Sequence, residues 1–179
     1  MAPGTESTLS ISSSPLNTCD LGDNITLVAM GTAMNNLLWS INGDAASNSN
    51  SLTIGDNEGP GSYRINLIGN RESQTRPGIS CEAPEQERII TVFENPRVSL
   101  SAPSEICDNQ SATLTATPSG GTVGNYTFEW NNNIGEASNV IPVTPFSDTR
   151  YIVTVTDGNN CSNTDASNIE VHRLSLIHI

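Results

Sequence analysis

Apolar and polar residues alternate along several short stretches of the chain. Thr113-Leu114-Thr115-Ala116 shows the pattern, and Tyr151-Ile152-Val153-Thr154-Val155-Thr156 carries it further. A period of two lays alternate side chains on one face of a strand, so each stretch predicts a β-strand with one apolar face. Turn formers stand between the stretches. Asp157-Gly158-Asn159-Asn160 separates Val155 from a last short strand, Ile169-Glu170-Val171, while Ser119-Gly120-Gly121 and Gly59-Pro60-Gly61 interrupt others. No twelve-residue window carries a 3.6-residue apolar period. The pattern predicts an all-β chain with essentially no helix, built as β-sandwiches.

The same landmarks occur twice, in the same order. Thr18-Cys19-Asp20 precedes the strand Asn24 to Ala29, and Ile106-Cys107-Asp108 precedes Ser111 to Ala116. A tryptophan follows in each half, Trp39 and Trp130. A tyrosine then opens an alternating run, Tyr63 to Leu67 and Tyr151 to Val155. A second cysteine comes after that run, Cys81 or Cys161, and each half closes on an apolar strand, Arg88 to Val92 or Ile169 to Val171. The recurrence predicts two tandem domains, 1–93 and 94–173, with Glu94-Asn95-Pro96 at the joint. Trp39, Trp130, Tyr63 and Tyr151 are the expected core aromatics, with Tyr126 and Phe128 on the face of Trp130. Both core tyrosines are expected to form the corner in which the phenol bonds back to nearby backbone.

The ends differ from this framework. Met1-Ala2-Pro3-Gly4 has neither a basic nor an apolar segment and does not read as a signal peptide, so the chain reads as a segment of a longer polypeptide. The apolar tail 174–179 resembles translated adapter sequence; the alternative is an extension of the last strand. It is set apart from the fold.

Charge and composition narrow the chemistry. Seven Lys+Arg stand against 19 Asp+Glu in 179 residues, a net charge of -12, which excludes binding to phosphate backbones or anionic membrane surfaces. No apolar run approaches the ~20 residues that cross a bilayer as a helix. Every basic residue is arginine, so lysine Schiff bases, a P-loop lysine and Lys–Asn isopeptide links are all excluded. Both histidines, His172 and His178, fall in the last eight residues, leaving none in the body for a Ser-His-Asp triad or a histidine-liganded metal. Four cysteines without a C-x-x-C spacing point to an oxidising compartment and to disulfides rather than zinc.

The two halves resemble the Ig-like and PKD-like repeats of secreted and surface proteins in gliding, type IX-secreting bacteria. The second half carries the likeness best, in Tyr126-Thr127-Phe128-Glu129-Trp130 and in Thr149 through Asn160-Cys161. The resemblance implies two tandem immunoglobulin-like β-sandwiches, an extracellular or cell-surface setting, and no catalytic residues. It implies a non-catalytic structural and adhesion module, spacer repeats whose partners are flanking domains of the same polypeptide. The alternative is a glycan- or protein-binding accessory module of a secreted enzyme, using pole loops such as the one holding Arg71 and Arg76.

Two expectations concern specific side chains. Each half has its own cysteine pair, so Cys19–Cys81 and Cys107–Cys161 are the first expectation. Strand order strains it: Cys107 precedes the second strand and Cys161 follows a turn at the opposite pole, too far for a Cα separation under ~7 Å. Either the strand before Cys107 is displaced toward the last strand, or bonding runs between repeats. Asp157, Asn159 and Asp165 form the best candidate calcium ligands, although such turns also serve hairpins without any metal. No other cofactor is expected.

Overall fold

The computed structural model describes residues 9–12, 16–20, 24–31, 34–54, 58–72, 78–132, 134–135 and 137–173; for Arg71, Glu72 and Cys81 only the backbone is described. The tail 174–179, the opening residues 1–8 and Arg76 lie outside the described residues. No helix occurs among the described residues. The chain divides into two compact units, Met1–Phe93 and Glu94–Ile179. Each is an immunoglobulin-like β-sandwich.

Unit 1 contains β1 (Ser10–Ser12), β2 (Asn17–Cys19), β3 (Ile25–Met30), β4 (Asn35–Ile41), β5 (Asp44–Ser47), β6 (Ser51–Ile54), β7 (Gly61–Glu72), β8 (Ser80–Glu82) and β9 (Gln86–Phe93). One sheet has the order β1-β3-β6; the other has β2-β9-β7-β4-β5, with β8 paired to the far part of β7. Alternation explains the packing. In β3, Ile25 and Leu27 point inward while Thr26 and Val28 face solvent, and in β7 Ile65 and Leu67 point inward. These meet Trp39, Ile54 and Ile90, all fully buried, in one core cluster.

Unit 2 contains β10 (Arg97–Ser101), β11 (Glu105–Cys107), β12 (Ala112–Ser119), β13 (Thr127–Trp130), β14 (Val140–Val143), β15 (Thr149–Thr156) and β16 (Ser162–His172). Its sheets have the orders β10-β12-β14 and β11-β16-β15-β13. Leu114, Ala116, Ile141, Val153, Val155 and Ile169 fill the interior with Trp130 and Tyr151. Burying each large side chain of this kind contributes roughly 1.5–3 kcal/mol.

Two features depart from the sequence pattern. β16 begins at Ser162, well before the expected Ile169, because Ser162 to Asn168 is a polar run that pairs residue for residue with β15 and so carries no apolar alternation. The short strand before the first cysteine joins the last strand in parallel in both units. Cys19 stands opposite Phe93, the end of β9, and Cys107 stands opposite His172, the end of β16. The displaced-strand arrangement therefore occurs, but its parallel register sends the cysteine to the wrong end.

Candidate functional site at the turn between β15 and β16

A connected set of polar contacts gathers at one pole of unit 2 around Asp157. Asp157 follows β15 directly and is 4% exposed. The Asp157 amide donates to the Cys161 carbonyl at 2.9 Å, and Asn160 N–H donates to the Asp157 carbonyl at 3.1 Å, closing a tight turn. Asn160 adopts φ 62°, the left-handed region that asparagine tolerates better than most residues. The Asp157 carboxylate organises the rest. Its Oδ1 accepts from the amides of Asn159 (2.9 Å) and Cys161 (3.0 Å), and its Oδ2 accepts from Thr122 N–H at 2.8 Å. Asn159 Nδ2 donates to the Thr122 hydroxyl at 2.7 Å.

Thr122 belongs to the β12–β13 connection, so the carboxylate binds two loops together. Burial pushes the Asp157 carboxyl up, but the amides of Thr122, Cys161 and Asn159, with the Thr122 hydroxyl, outweigh it and hold the group below the usual carboxylate value. Gly121 permits the approach: at φ 58° a Cβ there would stand 2.7 Å from Asp157 Oδ2 and 3.1 Å from Pro96 N. On the sequence alone Ser119-Gly120-Gly121 signals only a strand break, and nothing there pairs Thr122 with Asp157 over 35 positions.

The three candidate calcium ligands do not converge. Asp157 and Asn159 belong to the turn, whereas Asp165 stands in the body of β16 opposite Val153. Asp165 Oδ2 accepts from Leu100 N–H at 2.7 Å, which ties β16 to β10 of the other sheet. Asp157 Oδ1 and Oδ2 are both engaged by backbone donors. Among the described residues, no group of three or more His, Cys, Asp or Glu side chains could hold a metal ion.

The aromatic residues serve packing. Trp39 is fully buried and donates its indole N–H to the Ser49 carbonyl; Trp130 is 6% exposed and donates to the Ser138 carbonyl, each at 2.9 Å. Tyr63, half-buried against the core, donates its hydroxyl to the carbonyls of Glu58 and Gly59 just upstream. This is the expected corner. Tyr151 lies deeper, with burial pushing its phenol pKa up, and makes no such bond among the described residues. Tyr126 anchors the loop in unit 2 instead, donating to the Gly120 carbonyl. The corner expected of Tyr151 is corrected: its ring goes to the core and the anchoring phenol belongs to Tyr126.

The cysteines also depart from the first expectation. Cys19 and Cys161 are disulfide-bonded. Cys107 is a free, exposed thiol, so the Cys107–Cys161 pair is not formed. Register supplies the reason. Cys107 is level with His172 and Cys161 precedes Ser162, so the whole of β16 separates them, ~35 Å at ~3.3 Å per residue. Cys19 and Cys81 are equally distant. Cys19 is level with Phe93 beside the Gly61 end of β7, while Cys81 pairs opposite Arg71 near the other end.

No protein-family model and no curated protein matches the chain. Similar solved structures include the insect immune protein hemolin, at TM-score 0.46 and 13% identity over 97% of this chain and 49% of that one. Another is SGBP-B of the Bacteroides ovatus mixed-linkage glucan utilization locus, solved with a mixed-linkage heptasaccharide, at TM-score 0.35 and 12% identity over 94% and 46%. A chimeric titin Z1Z2 tandem gives TM-score 0.33 and 15% identity over 94% and 100%. The chain spans about half the length of the first two.

Proposed function

We propose that the chain is a non-catalytic extracellular segment, two spacer and adhesion repeats within a longer surface or secreted protein of a gliding, type IX-secreting bacterium. The observation that carries this reading is the use made of buried chemistry. Among the described residues the interiors are apolar, and the one buried charge, Asp157, has both carboxylate oxygens engaged by backbone N–H groups. A carboxylate so held is unsuited to proton transfer, because its lone pairs are already engaged and its acid form is disfavoured. The acidic surface resists self-association, and bonded cysteines suit an oxidising exterior.

The work of such a segment is mechanical: it holds flanking domains at a distance. A glycan array probed with the whole chain, beside a panel of chromogenic glycosides, tests it. Neither binding nor turnover is expected. Saturable binding to one glycan class would replace this reading with the accessory-module alternative.

A further inference from the structure

The sequence holds one Asn-Gly step and one Asp-Gly step, and the fold uses each in a turn. In unit 1, Asn42-Gly43 joins β4 to β5, with Ile41 paired to Asp44 across it. Asn42 at φ 52° and Gly43 at φ 97° are both left-handed, as in the type I′ hairpin turn that Asn-Gly favours. In unit 2, Asp157-Gly158 opens the turn between β15 and β16. The surroundings of the two steps are opposite. Asn42, Gly43 and Asp44 are all exposed, and a Cβ built at Gly43 would meet nothing within 4 Å. Asn42 Oδ1 accepts from Arg64 N–H at 2.9 Å, which draws electron density away from the amide carbon Cγ. Among the described residues, Asn42 Nδ2 and Gly43 N–H make no hydrogen bond. A free glycine amide thus follows a polarised side-chain amide whose nitrogen nothing holds. At Gly158 a Cβ would lie 3.4 Å from both Asn125 Cβ and Thr122 Cγ2. The Asp157 carboxylate is engaged by three backbone amides, which keep it in the anionic form, a poor electrophile.

We propose that Asn42 is a site of spontaneous covalent modification, deamidation with backbone isomerisation, which the hairpin turn of unit 1 leaves open and the turn of unit 2 resists. Gly43 N gives its proton to solvent base and attacks Asn42 Cγ. The new C–N bond closes a five-membered succinimide, and Nδ2 departs as ammonia. Water then opens the ring. Opening at Cγ gives aspartate; opening at the former main-chain carbonyl gives isoaspartate, whose main chain runs through Cβ and Cγ. The sum consumes one water and releases one ammonia, with no change of oxidation state. Either product adds a negative charge to the turn. Isoaspartate also lengthens the backbone by one carbon, which the pairings Ile41–Asp44 and Ser40–Ala45 cannot both accommodate, so β5 loosens at the edge of its sheet. The corresponding cyclisation at Asp157 must expel water from a neutral carboxyl and find room for the ring; its turn supplies neither.

The proposal is independent of the spacer reading, and so is its test. The full chain is held in mildly alkaline buffer at body temperature, beside a second sample in urea. Both are mapped over time by mass spectrometry with electron-transfer fragmentation, which separates isoaspartate from aspartate. In the folded sample Asn42 is expected to lose its amide sooner than any other asparagine, with isoaspartate the larger product, while Asp157 stays unchanged. In urea Asp157 isomerises as well. Asn42→Gln, whose cyclisation needs a larger ring, should abolish conversion at this position. Hydrogen exchange over residues 44–47 should rise in the aged wild type and not in the aged variant. Conversion of Asn42 in urea but not in the folded chain would mean that the turn protects it and would overturn the proposal, as would faster loss at another asparagine. Isomerisation of Asp157 in the folded chain would overturn the contrast between the two turns.

Discussion

Units 1 and 2 share a strand order but solve the pole after the central strand differently. In unit 2, β15 passes to β16 through the turn from Asp157 to Cys161, closed by three amides on one buried carboxylate. In unit 1 the route from β7 to β9 runs much further, with β8 laid back on β7 and Ala83 N–H donating to the Gly69 carbonyl at 2.9 Å. One unit stabilises its pole with a polar knot, the other with an added hairpin. The cores beneath are equivalent, each built around an indole that donates to a serine carbonyl. The lesson is that core alternation fixes the sandwich and leaves the pole free to vary, so individuality is concentrated in the loops.

Removing the shared element should have the largest effect. Trp39→Ala and Trp130→Ala should each destabilise their own unit by about 3–5 kcal/mol, read by hydrogen exchange in that unit. A much smaller loss at either indole would show that the cores are not equivalent. Asp157→Asn comes next. It replaces a charged acceptor of three backbone amides, and unit 2 should lose on the order of 2–3 kcal/mol in denaturant titrations, with no matching change in unit 1. The pH dependence has the same origin. The folded carboxyl lies below its unfolded value of about 4, so its contribution is complete above that value and is lost as pH falls through the lower folded value. Acid titration of wild type and Asp157→Asn should converge there; parallel curves would refute the assignment.

Glycines sharpen the comparison further. Gly121→Ala combines positive φ with a clash against Asp157 and should cost roughly 1–3 kcal/mol, whereas Gly43→Ala has positive φ with open space and should cost about 1 kcal/mol. Equal melting shifts would mean that the Asp157 knot yields easily. The smallest effect separates the tyrosines. Tyr63→Phe loses the corner bonds and should cost about 1 kcal/mol, while Tyr151→Phe should change stability by less, both read as midpoint shifts in urea.

The strand framework was legible wherever one face is apolar, as in β3, β7, β12 and β15. It was illegible in the first part of β16, where polar residues pair along β15 and pattern gives no warning. The turn at Asp157 was legible as a turn. Its carboxylate's role was not, because Thr122 is distant in sequence and Gly121 matters only once the two loops meet.

The sequence by itself determined the duplication, the all-β class, the core tryptophans and the absence of lysine chemistry, since period, composition and order are local properties of the chain. Tertiary structure alone decided which tyrosine anchors a loop, that Asp165 ties two sheets, and that Cys107 is left free. Those outcomes depend on strand register, which places residues by their distance along a neighbouring strand rather than along their own.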